Sequence, residues 1–293
     1  MRLFLVRHGE SVDNVAGLYA GSRDSTLTSH GVLQTRRLGS HLVATPSSSG
    51  PDSIVITNLF SSDLQRAFLT ASAILDAQQR KGVEETRVAT EVVKLVGIRE
   101  RDFRSGEGVR IAGGSRDAFA DAESREEMQV RVTRFIDDHL HPLFIEEGDV
   151  DGRAIVVVSH GIILNVILTA LLQRYAPSEL SRLLPPDLPG GSKLRGPPKL
   201  HISWSNTGYI DISVSVVRDK KDMDGGDQHD ENEGSEYGPA SVRMRVLAVN
   251  CIDHLAGLKK TRGGIGSAKF DAKQKTMDAF FAPAAKRQKR QED

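Results

Sequence analysis

Two histidines in this chain stand directly after apolar runs, and a glycine closes each. Leu3-Phe4-Leu5-Val6 leads into Arg7-His8-Gly9, and Ile155-Val156-Val157-Val158-Ser159 leads into His160-Gly161. A short, wholly apolar run reads as a strand buried on both faces, the pattern of a parallel sheet. In open sheets of that kind ligands bind outside the carboxyl ends of the strands, so both histidines are expected at one crevice. Gly9 allows a sharp exit turn and lets backbone N–H groups approach an anion closely. A neutral imidazole is a competent nucleophile at neutral pH, and an arginine such as Arg7 presents a planar fork to phosphate oxygens, which lysine does not. The suggested chemistry is therefore attack on an anionic, phosphate-like centre. One strand-end histidine is commonly a satisfied core or surface group; two that end alike fit that plain account poorly.

The elements that must carry these residues follow from periodicity. Residues 32–44 have helical spacing at Leu33, Leu38 and Leu42, and the Ser- and Pro-rich residues 45–53 read as a surface connection. A strand is expected at 53–57, then a helix over 63–79 with Ser61 or Ser62 as N-cap. Arg66 then falls in that helix's first turn, where a cation opposes the helix dipole unless an anion is also bound. A further strand is expected over 88–95, a loop over the pocket mouth at 104–116, a helix from just before Met128 to about His139, and another over 162–175. Residues 183–199, with five prolines and three glycines, read as a long irregular connection. Residues 200–205 and 208–217 read as strands, the latter alternating Ile210, Ile212, Val214 and Val216. Residues 242–252 resume an apolar pattern, so a hairpin with an expanded, disordered acidic loop over 219–240 is expected. Alternating strands and helices make this an α/β chain, expected as a three-layer α/β/α sandwich around a mostly parallel sheet.

With 293 residues and 39% hydrophobic content, one sizeable core is possible, and a catalytic domain is expected over 1–258. Basic and acidic residues balance at 39 each, but unevenly along the chain. Residues 218–237 hold eight acidic against three basic residues, and 259–293 hold ten basic against four acidic. No apolar run approaches the length of a bilayer span, and no charged leader precedes the first strand, so neither a membrane segment nor a signal peptide is expected. The single Cys251 excludes an internal disulfide framework and fits a reducing compartment.

The motifs resemble those of the histidine phosphatase superfamily, the group that includes the cofactor-dependent phosphoglycerate mutases. Asn14 stands at the family spacing after Arg-His-Gly, and Leu27-Thr28-Ser29-His30-Gly31 with Gln34 is similar to the family's turn into its first helix. Ser61-Ser62-Asp63-Leu64-Gln65-Arg66-Ala67 with Thr70-Ala71 is similar to the segment carrying a second pocket arginine. Ile98-Arg99-Glu100-Arg101-Asp102-Phe103 with Glu107-Gly108 resembles the segment carrying the acid. The chain departs from the family at Arg104, where glycine is frequent, and at Ala122 before Glu123-Ser124.

What the resemblance implies agrees with what phosphoryl transfer needs: positive groups around the equatorial oxygens, an in-line nucleophile and a proton for the leaving oxygen. His8 is expected to attack phosphorus and form a phosphohistidine. Arg7, Asn14, Arg66 and Gly161 are expected to hold the phosphate, with His160, if protonated, stabilising charge in the transition state. Glu100 is expected to protonate the leaving alcohol and then to activate water, although Glu107, Asp102 and Glu10 lie nearby and any of them could instead be a surface ion-pair partner. No metal or cofactor is required, and there is no Cys/His cluster or P-loop pattern. The segment after the acid lacks a mutase-like elaboration, so hydrolysis is favoured over a phosphoglycerate mutase-type transfer. A sugar phosphate, a nucleotide or a phosphoprotein would all fit as substrate. A non-catalytic interaction protein on the same fold is the other class to weigh, but it would be expected to have lost one of Arg7, His8, Arg66 or His160.

The tail carries a separate signal. Gln274-Lys275-Thr276-Met277-Asp278-Ala279-Phe280-Phe281 is similar to the PIP box, by which replication and repair proteins dock on the sliding clamp (PCNA). The resemblance implies that Met277, Phe280 and Phe281 form an apolar plug, with Gln274 in its own small pocket. The plainer alternative is that the two phenylalanines pack back onto the domain. Basic residues 286–290 read as a solvated run or an import signal, and beside a clamp motif import is preferred, giving a nuclear and cytoplasmic protein.

Overall fold

The computed structural model describes residues 1–47, 53–82, 88–111, 119–184, 200–220 and 237–259. Its centre is a six-stranded sheet of order β3-β2-β4-β1-β5-β6. The strands are β1 (Arg2–Arg7), β2 (Val55–Ser62), β3 (Val93–Leu95), β4 (Arg153–Ser159), β5 (Tyr209–Lys220) and β6 (Tyr237–Cys251). The first four run parallel, and β5 and β6 close one edge as an antiparallel hairpin.

The unbroken apolar runs of β1 and β4 follow from burial on both faces. Leu3 and Leu5 join Ile155 and Val157 in one core, while Phe4 and Val6 join Val156 and Val158 in the other. Helices α2 (Ser29–Val43) and α3 (Gln65–Lys81) cover the second face through Leu38, Leu42, Ala67, Ala71 and Ile74. Helices α4 (Arg125–Phe135), α5 (His141–Glu147), α6 (Gly161–Tyr175) and α7 (Pro177–Leu183) belong to the first. A short helix α1 (Val12–Ala16) follows β1. This is the expected three-layer α/β/α arrangement.

Several boundaries differ from the sequence reading, each for a physical reason. Helix α2 starts at Ser29, capped by the Thr28 hydroxyl on the Gly31 N–H, and Leu33 is left exposed at 47%. Strand β2 runs on to Ser62, so Ser61 and Ser62 are its last residues and not a helix cap; Leu64 takes the cap position without a side-chain bond. The strand expected over 88–95 is only Val93–Leu95. Helical structure from Arg125 continues through a wide turn, Ile136–Leu140, into α5, past the expected end near His139. Residues 200–205 form no strand; their backbone is spent on side-chain partners, such as the Asn165 Oδ1 that accepts from the Ile202 N–H. The hairpin is present, and pairing of Lys220 with Tyr237 carries its strands into both ends of the expected acidic insert. Residues 221–236 lie outside the described residues, as do 112–118 of the expected loop and 185–199 of the expected connection.

Candidate active site

The carboxyl ends of β1 and β4 lie side by side, Arg7 in register with Ser159, and this brings the two histidines together. The rings of His8 and His160 are 5.0 Å apart, centroid to centroid, in an edge-on arrangement. Both are buried, at 3% and 1% exposure.

Hydrogen bonds fix both tautomers. His8 Nδ1 lies 2.7 Å from the Gly9 carbonyl oxygen. A carbonyl only accepts, so Nδ1 carries the proton and Nε2 of a neutral ring holds the lone pair. At His160 the polarity is reversed: the Arg66 Nε–H donates to Nδ1 at 3.2 Å, which leaves the proton on Nε2. His160 Nε2 is buried and has no protein partner. Burial first, then Arg66 and Arg7, push the His8 imidazole well below the ordinary histidine range. Burial, Arg66, His8 and Arg7 do the same to His160. The stabilising role expected of His160 if protonated thus falls to a neutral ring that donates through Nε2.

Arg66 is in the first turn of α3, as expected, yet it offers an anion less than a fork. At 1% exposure it is the largest fully buried side chain described. Its Nη1 donates to the Arg23 carbonyl at 2.7 Å, and Nη2 donates to Ala20 and Gly21 at 2.9 and 3.0 Å. With Nε on His160, one N–H of the guanidinium's five remains. Arg66 therefore holds His160 and supplies positive potential more than it grips a ligand. Arg7 donates through Nη1 to the Trp204 carbonyl, while its buried Nε has no partner.

Glu100 reaches the same place from the turn after β3. Its Oε1 accepts from the Arg101 and Ile163 N–H groups and its Oε2 from Ile162, so it caps α6, whose own cap residue, His160, gives no side-chain bond. Its charge acts on both Arg7 and Arg66. With Ile162 and Ile163 taken, the Gly161 N–H is the backbone donor of that turn left for an anion. Asn14 closes a capping box with Ser11, and its Oδ1 also accepts from Asn206, so Nδ2 is what it can offer a ligand.

Glu107 stands apart from Glu100 in its work. Its carboxylate accepts the backbone N–H groups of Gly21, Ser22, Arg23 and Phe103. The turn it holds is the one whose carbonyls hold Arg66. Asp102 accepts from Ser22 and Arg104, and Glu10 accepts from the Thr28 hydroxyl, so both are engaged in supporting turns. Sequence reasoning missed a further contributor, residues 204–208. Asn206 Nδ2 and the Thr207 N–H both donate to the His8 carbonyl at 3.2 Å, and Gly208 accepts from the Arg7 N–H. The Ser-Asn-Thr-Gly turn signal was there to be read, but nothing in the sequence tied it to β1.

Comparison with known proteins identifies the family and the fold. The model of the histidine phosphatase superfamily (branch 1) matches residues 3–188. The chain belongs to this superfamily. It is 30% identical over 285 residues to a protein of Schizosaccharomyces pombe described as a probable phosphatase, covering 94% of this chain and 78% of the relative. It is also 30% identical over 177 residues to a 2,3-bisphosphoglycerate-dependent phosphoglycerate mutase of Xanthobacter autotrophicus, covering 58% of this chain and 80% of the mutase. Among solved structures, a phosphoglycerate mutase from Bacillus anthracis shares the fold, with a TM-score of 0.55 and 18% identity over 87% of this chain and 95% of that one. The matched range includes Arg7, His8, Asn14, Arg66, Glu100, His160 and Gly161.

Proposed function

We propose that the protein is a phosphomonoester hydrolase that works through a phosphohistidine on His8. The observation that carries this reading is the opposed pair of tautomers: a lone pair on His8 Nε2 beside a proton on the unpartnered Nε2 of His160. His8 Nε2 attacks phosphorus as the bond to the leaving oxygen breaks, and Glu100 gives that oxygen its proton. His160 Nε2–H, Arg7 Nε, the Gly161 N–H and Asn14 Nδ2 donate to the equatorial oxygens, where charge builds. In the second half Glu100 takes a proton from water, the water oxygen attacks phosphorus, the P–N bond breaks, and neutral His8 returns with release of phosphate. Oε2 of Glu100 has one N–H partner against two for Oε1, so it keeps room for that proton. No step asks for a metal or a cofactor.

Hydrolysis is favoured over mutase-type transfer because the segment after Glu100 lacks a mutase-like elaboration. The phosphatase-named relative also aligns along nearly the whole chain, whereas the mutase covers little more than half. The test is a hydrolysis screen over phosphorylated metabolites with His8→Ala as blank, coupled to a search for an acid-labile phosphoenzyme. Activity that survives in His8→Ala, or turnover without a phosphoenzyme, would overturn the reading.

The tail extends the proposal. Gln274, Met277, Phe280 and Phe281 lie outside the described residues, and their similarity to a PIP box supports recruitment of the enzyme to the sliding clamp in the nucleus. A pull-down in which Phe280→Ala with Phe281→Ala leaves clamp binding unchanged would remove that part.

A further inference from the structure

Behind the tip of β1 lies a second group of donors that the reaction does not use. Arg36, Arg37, Ser40 and His41 fall on neighbouring positions of two successive turns of α2 and, with His254 from the turn Asp253–Leu255, line a shallow pocket of about 390 Å³. All five side chains can donate a hydrogen bond, and none is acidic. Among the described residues neither arginine is paired with a carboxylate. The Nη1 of Arg37 donates to the Ala256 carbonyl at 2.7 Å, which ties the guanidinium to the turn.

His254, which lines the same pocket, has one ring nitrogen unsatisfied. It is 8% exposed, and its Nε2 lies 2.9 Å from the Thr207 hydroxyl. That hydroxyl already donates to the Asn206 carbonyl, so His254 Nε2–H is the donor and its Nδ1 holds a buried lone pair without a partner. An unsatisfied buried acceptor is costly, and the charge of Arg37 acts on this ring. Burial pushes the imidazole down to about 4; His41 and Arg37 push the same way and Asp253 opposes them. The Tyr209 ring on β5 and Asp253, which accepts from the Cys251 thiol, complete its surroundings. An anion in the pocket would reverse the balance, letting Nδ1 take a proton and become a donor.

We propose that this pocket binds a small oxyanion of the phosphate or sulfate type, carried by a small molecule, through Arg36, Arg37, Ser40 and His254, and that its occupancy is felt at His8. The connection is short. His254 bonds the Thr207 hydroxyl, and the Thr207 N–H donates to the His8 carbonyl. Thr207 is a β-branched residue held at a φ of 57°, a backbone state it keeps only while its partners hold it. A bond made or lost at His254 therefore bears on a residue one step from the nucleophile. The site itself stands without the reading of His8 as nucleophile; only the effect on turnover rests on it.

The test uses the full chain and inorganic sulfate. Calorimetric titration is expected to find two sulfates, one in the catalytic cup and one here, and Arg36→Ala with Arg37→Ala is expected to leave one. In hydrolysis assays sulfate should inhibit wild type with a non-competitive component that the double variant lacks, while turnover without sulfate and the competitive component are unchanged. Affinity at the second site should rise as pH falls toward 4, by up to about tenfold per unit if one proton is taken up, and His254→Asn should flatten that slope. One sulfate on wild type, or two on the double variant, would overturn the site. Two sulfates with purely competitive inhibition in wild type would overturn the coupling.

Discussion

Glu100→Gln and Glu107→Gln separate chemistry from support, because the two carboxylates do different things with similar numbers of hydrogen bonds. In Glu100→Gln one amide oxygen can keep the Arg101 and Ile163 N–H groups, while the amide nitrogen then faces the Ile162 N–H. The Ile162 N–H is exposed and can be rehydrated, so the stability cost stays below the about 1–3 kcal/mol of a buried unsatisfied donor. The loss in turnover should be much larger, because an amide cannot pass a proton: roughly 10²–10⁴-fold, or about 3–5 kcal/mol of barrier. In Glu107→Gln the oxygen can keep Ser22, Phe103 and, at 3.1 Å, Gly21, so only the Arg23 N–H loses its acceptor. The Arg23 N–H is exposed and can be rehydrated, so the stability cost stays below the about 1–3 kcal/mol of a buried unsatisfied donor. Turnover falls less, through a looser Arg66.

The assay that tells them apart varies the leaving group. A nitrophenolate leaves without help from an acid, an alkoxide does not. The Glu100→Gln deficit should therefore shrink from alkyl phosphates to p-nitrophenyl phosphate, while the Glu107→Gln deficit stays constant across the series. Equal deficits for both variants, or a Glu100→Gln deficit that ignores the leaving group, would refute the assignment of the acid.

Other outcomes follow from the same geometry. Because burial, Arg66 and Arg7 hold His8 well below the ordinary histidine range, the acid limb of kcat/KM should fall well under pH 6.5, and Arg66→Met should move it toward neutral. The two depressed imidazoles bind fewer protons folded than unfolded, so stability is fullest above about pH 6.5 and is lost as pH falls below it; urea midpoints at pH 7.5 and 5.5 measure this. Gly21→Ala should destabilise by more than about 2 kcal/mol in the same assay, since a Cβ there would meet the Arg101 carbonyl oxygen at 1.8 Å. His160→Gln can keep the Arg66 bond or donate toward phosphate, but not both in the imidazole's geometry, so phosphoenzyme formation should slow by roughly 10²-fold or more in rapid-quench measurements.

The parts of this fold that were legible in the sequence are those where burial speaks for itself. The runs before His8 and His160 are apolar because alternate residues feed opposite cores, so strand, direction and ligand end could all be read from a few residues. The start of α3 was misplaced because Ser61 and Ser62 look like caps; in fact the Ser61 hydroxyl donates to the Ser62 carbonyl, and the Ser62 hydroxyl only weakly meets the Leu64 N–H at 3.4 Å. Strand β2 needs those two positions to reach the crevice. Residues 204–208 were beyond reach for another reason: their meaning lies in contacts with a strand some two hundred positions earlier, and no local pattern records a carbonyl that needs donors.

The same limit explains why the arginine roles could not be read. Sequence spacing puts Arg7 and Arg66 near one anion and so suggests two equal forks. Which guanidinium is free depends on how many carbonyls the turn at 20–23 aims at Arg66, and that depends on Glu107 holding the turn's N–H groups from the far side. Neutralising Glu107 therefore loosens a buried arginine it does not touch, and through Arg66 Nε it loosens the tautomer of His160. A carboxylate more than fifty residues away from His160 in the chain thus helps decide which imidazole nitrogen carries the proton. If NMR of the imidazole nitrogens found the His160 tautomer unchanged in Glu107→Gln and reversed only in Arg66→Met, that chain of support would stop at Arg66.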